Sequence, residues 1–108
     1  MESTEKAAKQ YLTFRLAHET FAVDVARVRE ILDFISISKV PRTPDFMRGV
    51  INLRGSVVPV VDMKLKFGME ATEKTVDTCI IVLEVAIEGE TPIVGALAAS
   101  VEEVLELA

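Results

Sequence analysis

Apolar and polar residues alternate along much of this chain, and the alternation predicts short strands joined by turns. Leu12, Phe14 and Leu16 fall on one face of the run Tyr11–Leu16, with Thr13 and Arg15 on the other. Ala17–Thr20 turns the chain, and Phe21, Val23 and Val25 resume the alternation, so the two runs form a hairpin. The period then changes. Asp24 is placed to cap a helix of about two turns whose apolar positions are Val25, Val28, Ile31 and Leu32, with Arg27, Arg29 and Glu30 on its polar face. From Phe34 to Val40 the alternation returns, with Ile35 and Ile37 against Ser36 and Ser38, until Pro41 and Pro44 break it.

Phe46, Met47, Val50, Ile51 and Leu53 lead into a turn at 52–55. Gly55 there suits a positive φ, and the Asn52 amide suits a local hydrogen bond to the backbone. Residues 57–61, VVPVV, read as a buried strand that Pro59 assigns to an edge or a bulge. Met63, Leu65 and Phe67 follow with Lys64 and Lys66 between them, and Gly68 ends the unit. Met69–Asp77 is a polar loop. Thr78–Ile87 is apolar on both faces and predicts a central strand. Glu88–Glu90 forms a hairpin turn, and Ile93–Ala98 returns as the partner. Ser100 and Glu103 have capping-box spacing, which leaves a helical turn and a bent strand both open there. The first nine residues predict a disordered leader.

Many short strands in a chain of 108 residues predict one small, mainly β, barrel-like domain. Composition narrows its function. There is one cysteine, so no internal disulfide forms, which is consistent with a reducing compartment. The polar N-terminus lacks the apolar core of a signal peptide, and no apolar run reaches the roughly 18 residues of a membrane helix. A cytoplasmic protein without membrane insertion is expected. Net charge is −5, which argues against nucleic acid as a partner. The charge is uneven. Lys39–Gly68 holds six basic residues and two acids, net +4, while the remainder holds six and fifteen, net −9. A basic, turn-rich centre in an acidic chain is a reason to look for a binding surface there.

Catalytic raw material is thin. The single histidine, His18, reads as a solvated turn residue. Cys79 lies within TCIIVLEV, where a small buried residue is expected rather than a nucleophile. No Cys/His cluster has metal-ligand spacing, and no glycine loop is built for phosphate, so neither metal, cofactor nor enzymatic activity is expected. The acids of Val101-Glu102-Glu103-Val104 read as a solvated face.

Four stretches taken together resemble the CheW-like domain family of chemotaxis coupling proteins. They are FAVDVARVREIL (21–32), VPRTPDFMRGVINLRGSVVPVVDMKLKFG (40–68), TCIIVLEV (78–85) and GALAASVEEVLEL (95–107). The V-x-E-I of the first and the P-x-x-P-x-F-x-x-G-V-I-N-L-R-G-x-x-x-P-V-x-D run of the second, which ends at Asp62, carry most of the likeness. It spans about residues 10–107, and the domain is taken as 10–108. The resemblance implies two small intertwined SH3-like β-barrels with a short helix, the first barrel using strands from about 10–40 and the second about 41–100. It implies a non-catalytic adaptor between the cytoplasmic tips of chemoreceptors and the regulatory domain of the histidine kinase CheA, recruited to membrane-associated receptor arrays. A groove between the barrels would receive the receptor's helical hairpin.

By position, the resemblance makes Val28, Gly49, Asn52 and Arg54 receptor-facing. Glu30 would orient Arg54 through an ion pair, and Val25, Thr78 and Cys79 would face the kinase. The plainer alternatives are a core position for Val28, turn roles for Gly49 and Gly55, and ordinary strand or helix-start roles for Val25, Thr78 and Cys79. Two departures stand out. Ala99 replaces an aspartate usual in the family, and the family's domain continues beyond the position of Ala108. On that reading the chain is C-terminally truncated and its first barrel is incomplete. Its open strand edges would favour self-association, by strand exchange. A module cut from a larger protein, the kinase itself or a receiver-fused coupling protein, is the alternative.

Overall fold

The computed structural model describes residues 9–107. The expected leader therefore lies outside the described residues, except that Lys9 already begins a strand. Among the described residues eight strands form two sheets. β1 (Lys9–Leu16) and β2 (Glu19–Asp24) make the predicted hairpin, and β8 (Ser100–Leu107) joins them in the order β2-β1-β8. β3 (Val28–Asp33), β4 (Met47–Leu53), β5 (Ser56–Asp62), β6 (Cys79–Glu84) and β7 (Ile93–Ala98) form the second sheet in the order β3-β6-β7-β5-β4. The fold is mainly β, as expected. The chain thus enters the second sheet before residue 40 and returns to the first after residue 98.

The helix expected from Asp24 is replaced by a single 3-10 turn, Val25–Arg27, followed directly by β3. Asp24 does cap that turn, its Oδ1 accepting from the Ala26 N–H at 2.9 Å. The helical spacing of Val25, Val28, Ile31 and Leu32 has another origin. β3 pairs with β6, and the register slips between Val28 and Glu30. Such a bulge moves side chains to the opposite face. Val28 then packs with one core cluster and Leu32 with the other. A broken period of two imitates 3.6, and the β-branched residues favour the strand once β6 supplies a ladder.

β6 is the central strand that its two apolar faces predict. Ile80 and Val82 join Ile51, Val58, Val60 and Leu97 in one cluster. Cys79 and Ile81 join Leu12 and Ala98 in the second, which lies between the two sheets. Full burial of an aliphatic side chain contributes about 1.5–3 kcal/mol, so this one strand ties both cores together.

The strand expected over Phe34–Val40 reduces to one bridge, Ser38 to Val50, with hydrogen bonds of 2.9 and 2.8 Å. Phe34 and Ile37 still pack on the first cluster. That bridge also explains Pro59. Both backbone groups of Val50 are turned toward Ser38, so its β5 partner Pro59 turns its own nitrogen away from β4. The β7 ladder begins only at Val60. Hence β5 is an inner strand rather than an edge, and the missing N–H falls where no neighbour needs it.

Met63–Lys66 forms one helical turn, α1. The segment after Ala98 resolves as a bent strand. Its register against β1 slips between Thr13 and Phe14, and there the Thr13 hydroxyl donates to the Glu103 carbonyl at 3.0 Å and accepts from the Glu103 N–H at 3.1 Å.

Candidate functional site

The turn between β4 and β5 is tight, with Arg54 at φ 50° and Gly55 at φ 86°. Two consecutive positive φ values match the twist of a two-residue hairpin. Glycine adopts the second freely, whereas arginine is uncommon at the first. Asn52 holds the turn from inside, its Oδ1 accepting the Gly55 N–H at 2.9 Å. Glu30 holds it from outside. The Arg54 guanidinium makes a forked pair with that carboxylate, 2.8 Å to Oε1 and 2.7 Å to Oε2.

This contact also fixes the shape of the sheet. β3 and β4 are opposite edges of the five-stranded sheet. In a flat sheet they would lie about 19 Å apart, four steps of roughly 4.8 Å. Glu30 and Arg54 meet only because the sheet curls until its edges face each other, and the Ser38–Val50 bridge ties the segment that follows β3 to β4. The Arg54 hydrogen bonds, and then its charge, hold the Glu30 carboxyl below its ordinary value of 4.5, and Glu30 raises Arg54 in turn. A lowered carboxylate gives stability that is present at neutral pH and is lost as the pH falls through the lowered value. The coupling between Glu30 and Arg54 in a double-mutant cycle is therefore expected at pH 7 and absent well below pH 4.5. Denaturant titrations of the four variants at both pH values check this.

The other expected residues are placed differently. Gly49 is buried at a bulge in β4, at φ 143°. The space a Cβ would occupy is filled by the Ser38 carbonyl and by Ile37 Cγ2, 2.8 Å away. The close approach that Gly49 permits is made by this chain's own backbone. Val25, Val28 and Cys79 share the inter-sheet cluster. Thr78 and Cys79 are 4% and 7% exposed. The Thr78 hydroxyl donates to the Glu73 carbonyl at 2.9 Å and accepts from the Thr75 N–H at 2.8 Å. Both side chains are thus engaged within the domain. Burial, with the Asp33 carboxylate adding to it, pushes the Cys79 thiol up. Iodoacetamide is expected to leave Cys79 largely unmodified at pH 8 and to alkylate it fully in denaturant, as intact-mass measurements would show.

β3 therefore links two features, the inter-sheet cluster through Val28 and the ion pair through Glu30. Beside the cluster, on the outer face of the five-stranded sheet, runs an apolar groove of about 390 Å³. Phe46, Val61, Met63, Leu83, Val94 and Ala96 line it, and the Lys66 ammonium stands 4.4 Å from the Phe46 ring centroid at its rim.

One residue with a large role is a motif position to which the sequence assigns no role. Asp62 is fully buried. Its carboxylate accepts from Arg48 (3.2 Å), from the Lys64 N–H (3.1 Å), and from the N–H and hydroxyl of Thr72 (both 2.8 Å). It caps α1 and pins the loop that follows to β4. The available signal was an aspartate directly before a short amphipathic run, the position of an N-cap.

Among the described residues no three His, Cys, Asp or Glu side chains are grouped to hold a metal ion, and no helix is long and apolar enough to cross a membrane. What these elements define is a small two-sheet β domain presenting a braced, ion-paired turn and an apolar groove. Comparison with known proteins then places it: residues 10–108 match the CheW-like domain, and the chain belongs to that family. It is 33% identical over 103 residues to the chemotaxis protein CheW of Klebsiella aerogenes, covering 95% of this chain and 60% of that protein. Against the Rhizobium meliloti chemotaxis protein CheW the identity is 37% over 97 residues, 90% of this chain and 60% of the relative. The crystal structure of the scaffolding protein TtCheW from Thermoanaerobacter tengcongensis superposes with a TM-score of 0.82 at 38% identity, covering 93% of this chain and 66% of that one. The chain thus spans about 60% of the length of these two curated relatives.

Proposed function

We propose that this domain is a non-catalytic coupling adaptor of bacterial chemotaxis, joining the cytoplasmic tip of a chemoreceptor to the regulatory domain of the histidine kinase CheA. It works in the cytoplasm at membrane-associated receptor arrays. The observation that carries this reading is the forked Glu30–Arg54 pair, built from the two motif positions that the family resemblance marks. A bare arginine on a turn would sample many rotamers. This one is held in a fixed direction beside Asn52, so part of the entropy of ordering it on binding is already spent. The apolar groove beside α1 receives the hydrophobic stripe of a receptor helix. Val25 and Val28 support that surface from the inter-sheet cluster. The kinase is then controlled through the geometry of the assembly, with no chemistry in the adaptor itself.

Calorimetric titration against a receptor-tip fragment and against a CheA regulatory domain tests both arms. Arg54→Ala is expected to weaken receptor binding by about tenfold or more and to leave kinase binding intact. Glu30→Gln should act in the same direction but less, since it frees the guanidinium without removing it. A folded chain that binds neither partner would falsify the adaptor reading.

A further inference from the structure

The chain uses one arrangement of strands twice. β1 and β2 form an antiparallel hairpin from which β3 departs, and β6 and β7 form another from which β8 departs. Each departing strand pairs with the first strand of the other unit, β3 with β6 and β8 with β1. The two pairings match residue for residue. Val28-Arg29-Glu30-Ile31-Leu32-Asp33 in β3 corresponds to Val101-Glu102-Glu103-Val104-Leu105-Glu106 in β8, and each skips one residue at a bulge, Arg29 and Glu102. Val28 lies opposite Leu83 as Val101 lies opposite Phe14. Leu32 lies opposite Ile80 as Leu105 lies opposite Tyr11.

Neither departing strand can reach the first strand of its own hairpin. There it would run parallel to the second strand and start beside that strand's beginning, roughly 20 Å back along six residues. The three residues between β2 and β3 reach about 14 Å at most, and β7 is separated from β8 by Ala99 alone. The partner is therefore the other unit of the chain or the same unit of a second copy. Apolar positions do not choose between these. If β3 paired with β1 of a second copy in the matching register, Val28 would meet Phe14, Ile31 would meet Leu12 and Leu32 would meet Tyr11.

Charge does choose. Arg29 Nη1 donates to Glu84 Oε2 at 2.6 Å, and Arg15 Nη1 stands 3.9 Å from Glu102 Oε2. Glu84 follows Leu83 as Arg15 follows Phe14, so these are the same contact made twice with the signs reversed. Two β1–β3 units paired together would set Arg29 against Arg15. Two β6–β8 units would set Glu102 against Glu84. Like charges on adjacent strands destabilise and opposite charges stabilise.

We propose that the two reversed contacts are a pairing code, which joins the unlike units of one chain and keeps like units of separate copies apart. Each contact is exposed and weak by itself. The choice turns on both at once, because every like pairing exchanges an attraction for a repulsion. This inference does not rest on the adaptor reading.

The test refolds the whole chain from urea at matched concentration, with Q10C/D33C added to report the partner. In the mixed pairing the thiol of D33C faces Cys79, whereas between two β1–β3 units it would face that of Q10C. Oxidation and peptide mapping tell the two links apart. R29E/E84R keeps the contact between the units, reversed, and leaves net charge unchanged. It also sets a carboxylate at position 29 against Arg15 and a guanidinium at 84 against Glu102 of a second copy, so like pairing becomes attractive. Interchain 10–33 links should rise about tenfold over the parent. R15E/R29E/E84R/E102R makes like pairing repulsive again and should return the links to the parent level, a rescue that a fold defect cannot mimic. An R29E/E84R chain with no more 10–33 links than the parent would overturn the proposal, as would a fourfold variant that links as much as the twofold one.

Discussion

Gly49→Ala is expected to destabilise the domain by about 4 kcal/mol, the sum of roughly 1–3 kcal/mol for a side chain at an unsuitable φ and a similar amount for overpacking. At φ 143° an added Cβ runs into the Ser38 carbonyl, which is backbone and cannot swing aside as a side-chain end would. Relief requires breaking the Ser38–Val50 bridge, and with it the tie between β4 and the segment that follows β3. The loss therefore spreads. A urea titration should show a lowered midpoint, and the slope against denaturant separates simple destabilisation from a loosened native state. Gly55→Ala offers the contrast. Its φ is also positive, but nothing lies within 4 Å of the added carbon, so only the conformational cost of about 1 kcal/mol is expected.

Asp62→Asn should cost about 3 kcal/mol despite being nearly isosteric. Four donors converge on the two carboxylate oxygens. An amide offers one acceptor oxygen and aims its NH₂ at donors whichever way it is flipped. Thr72→Val removes one of the four donors and leaves a methyl in its place, so a smaller loss of about 1 kcal/mol is expected. Hydrogen exchange locates the effect. In Asp62→Asn the amides of Lys64 and Thr72 should exchange faster, while those of β6 follow only the change in global stability. Equal exchange at Lys64 and Thr72 in the variant and the parent chain would show that the carboxylate does not hold the loop.

Much of this architecture was legible because local signals agreed with tertiary ones. Thr78–Ile87 is apolar on both faces and forms a strand buried on both faces. The Asn52 and Gly55 of the β4–β5 turn act as their chemistry suggests. The failures have a common cause. Bulges beside Val28, Gly49 and Thr13 shift the register by one residue, and each breaks a period of two in a way that a linear reading cannot detect. The largest error, a helix over Val25–Leu32, sits on one of them. For the site, motif position pointed to Glu30 and Arg54, but their contact depends on the curl of a five-stranded sheet, a property of no local segment. The inward placement of Cys79 likewise follows from the β1–β2 hairpin that packs on it, far away in the chain, whereas Thr78 is held by its own loop. For Asp62 the motif gives a position and no role, since the four donors that hold its carboxylate are assembled only by the fold.

Lys9 and Leu107 are directly paired neighbours on adjacent strands. During synthesis the β1–β2 hairpin must therefore wait, its apolar face uncovered, until β8 has cleared the ribosome. The first sheet becomes a late event of folding, gated by translation. The same adjacency allows a permuted chain. For a segment cut to residues 9–107, a short linker from Leu107 to Lys9, with new ends opened at the exposed Glu88-Gly89 turn, would turn the pairing of β1 with β8 into a local hairpin, and faster refolding is its expected consequence.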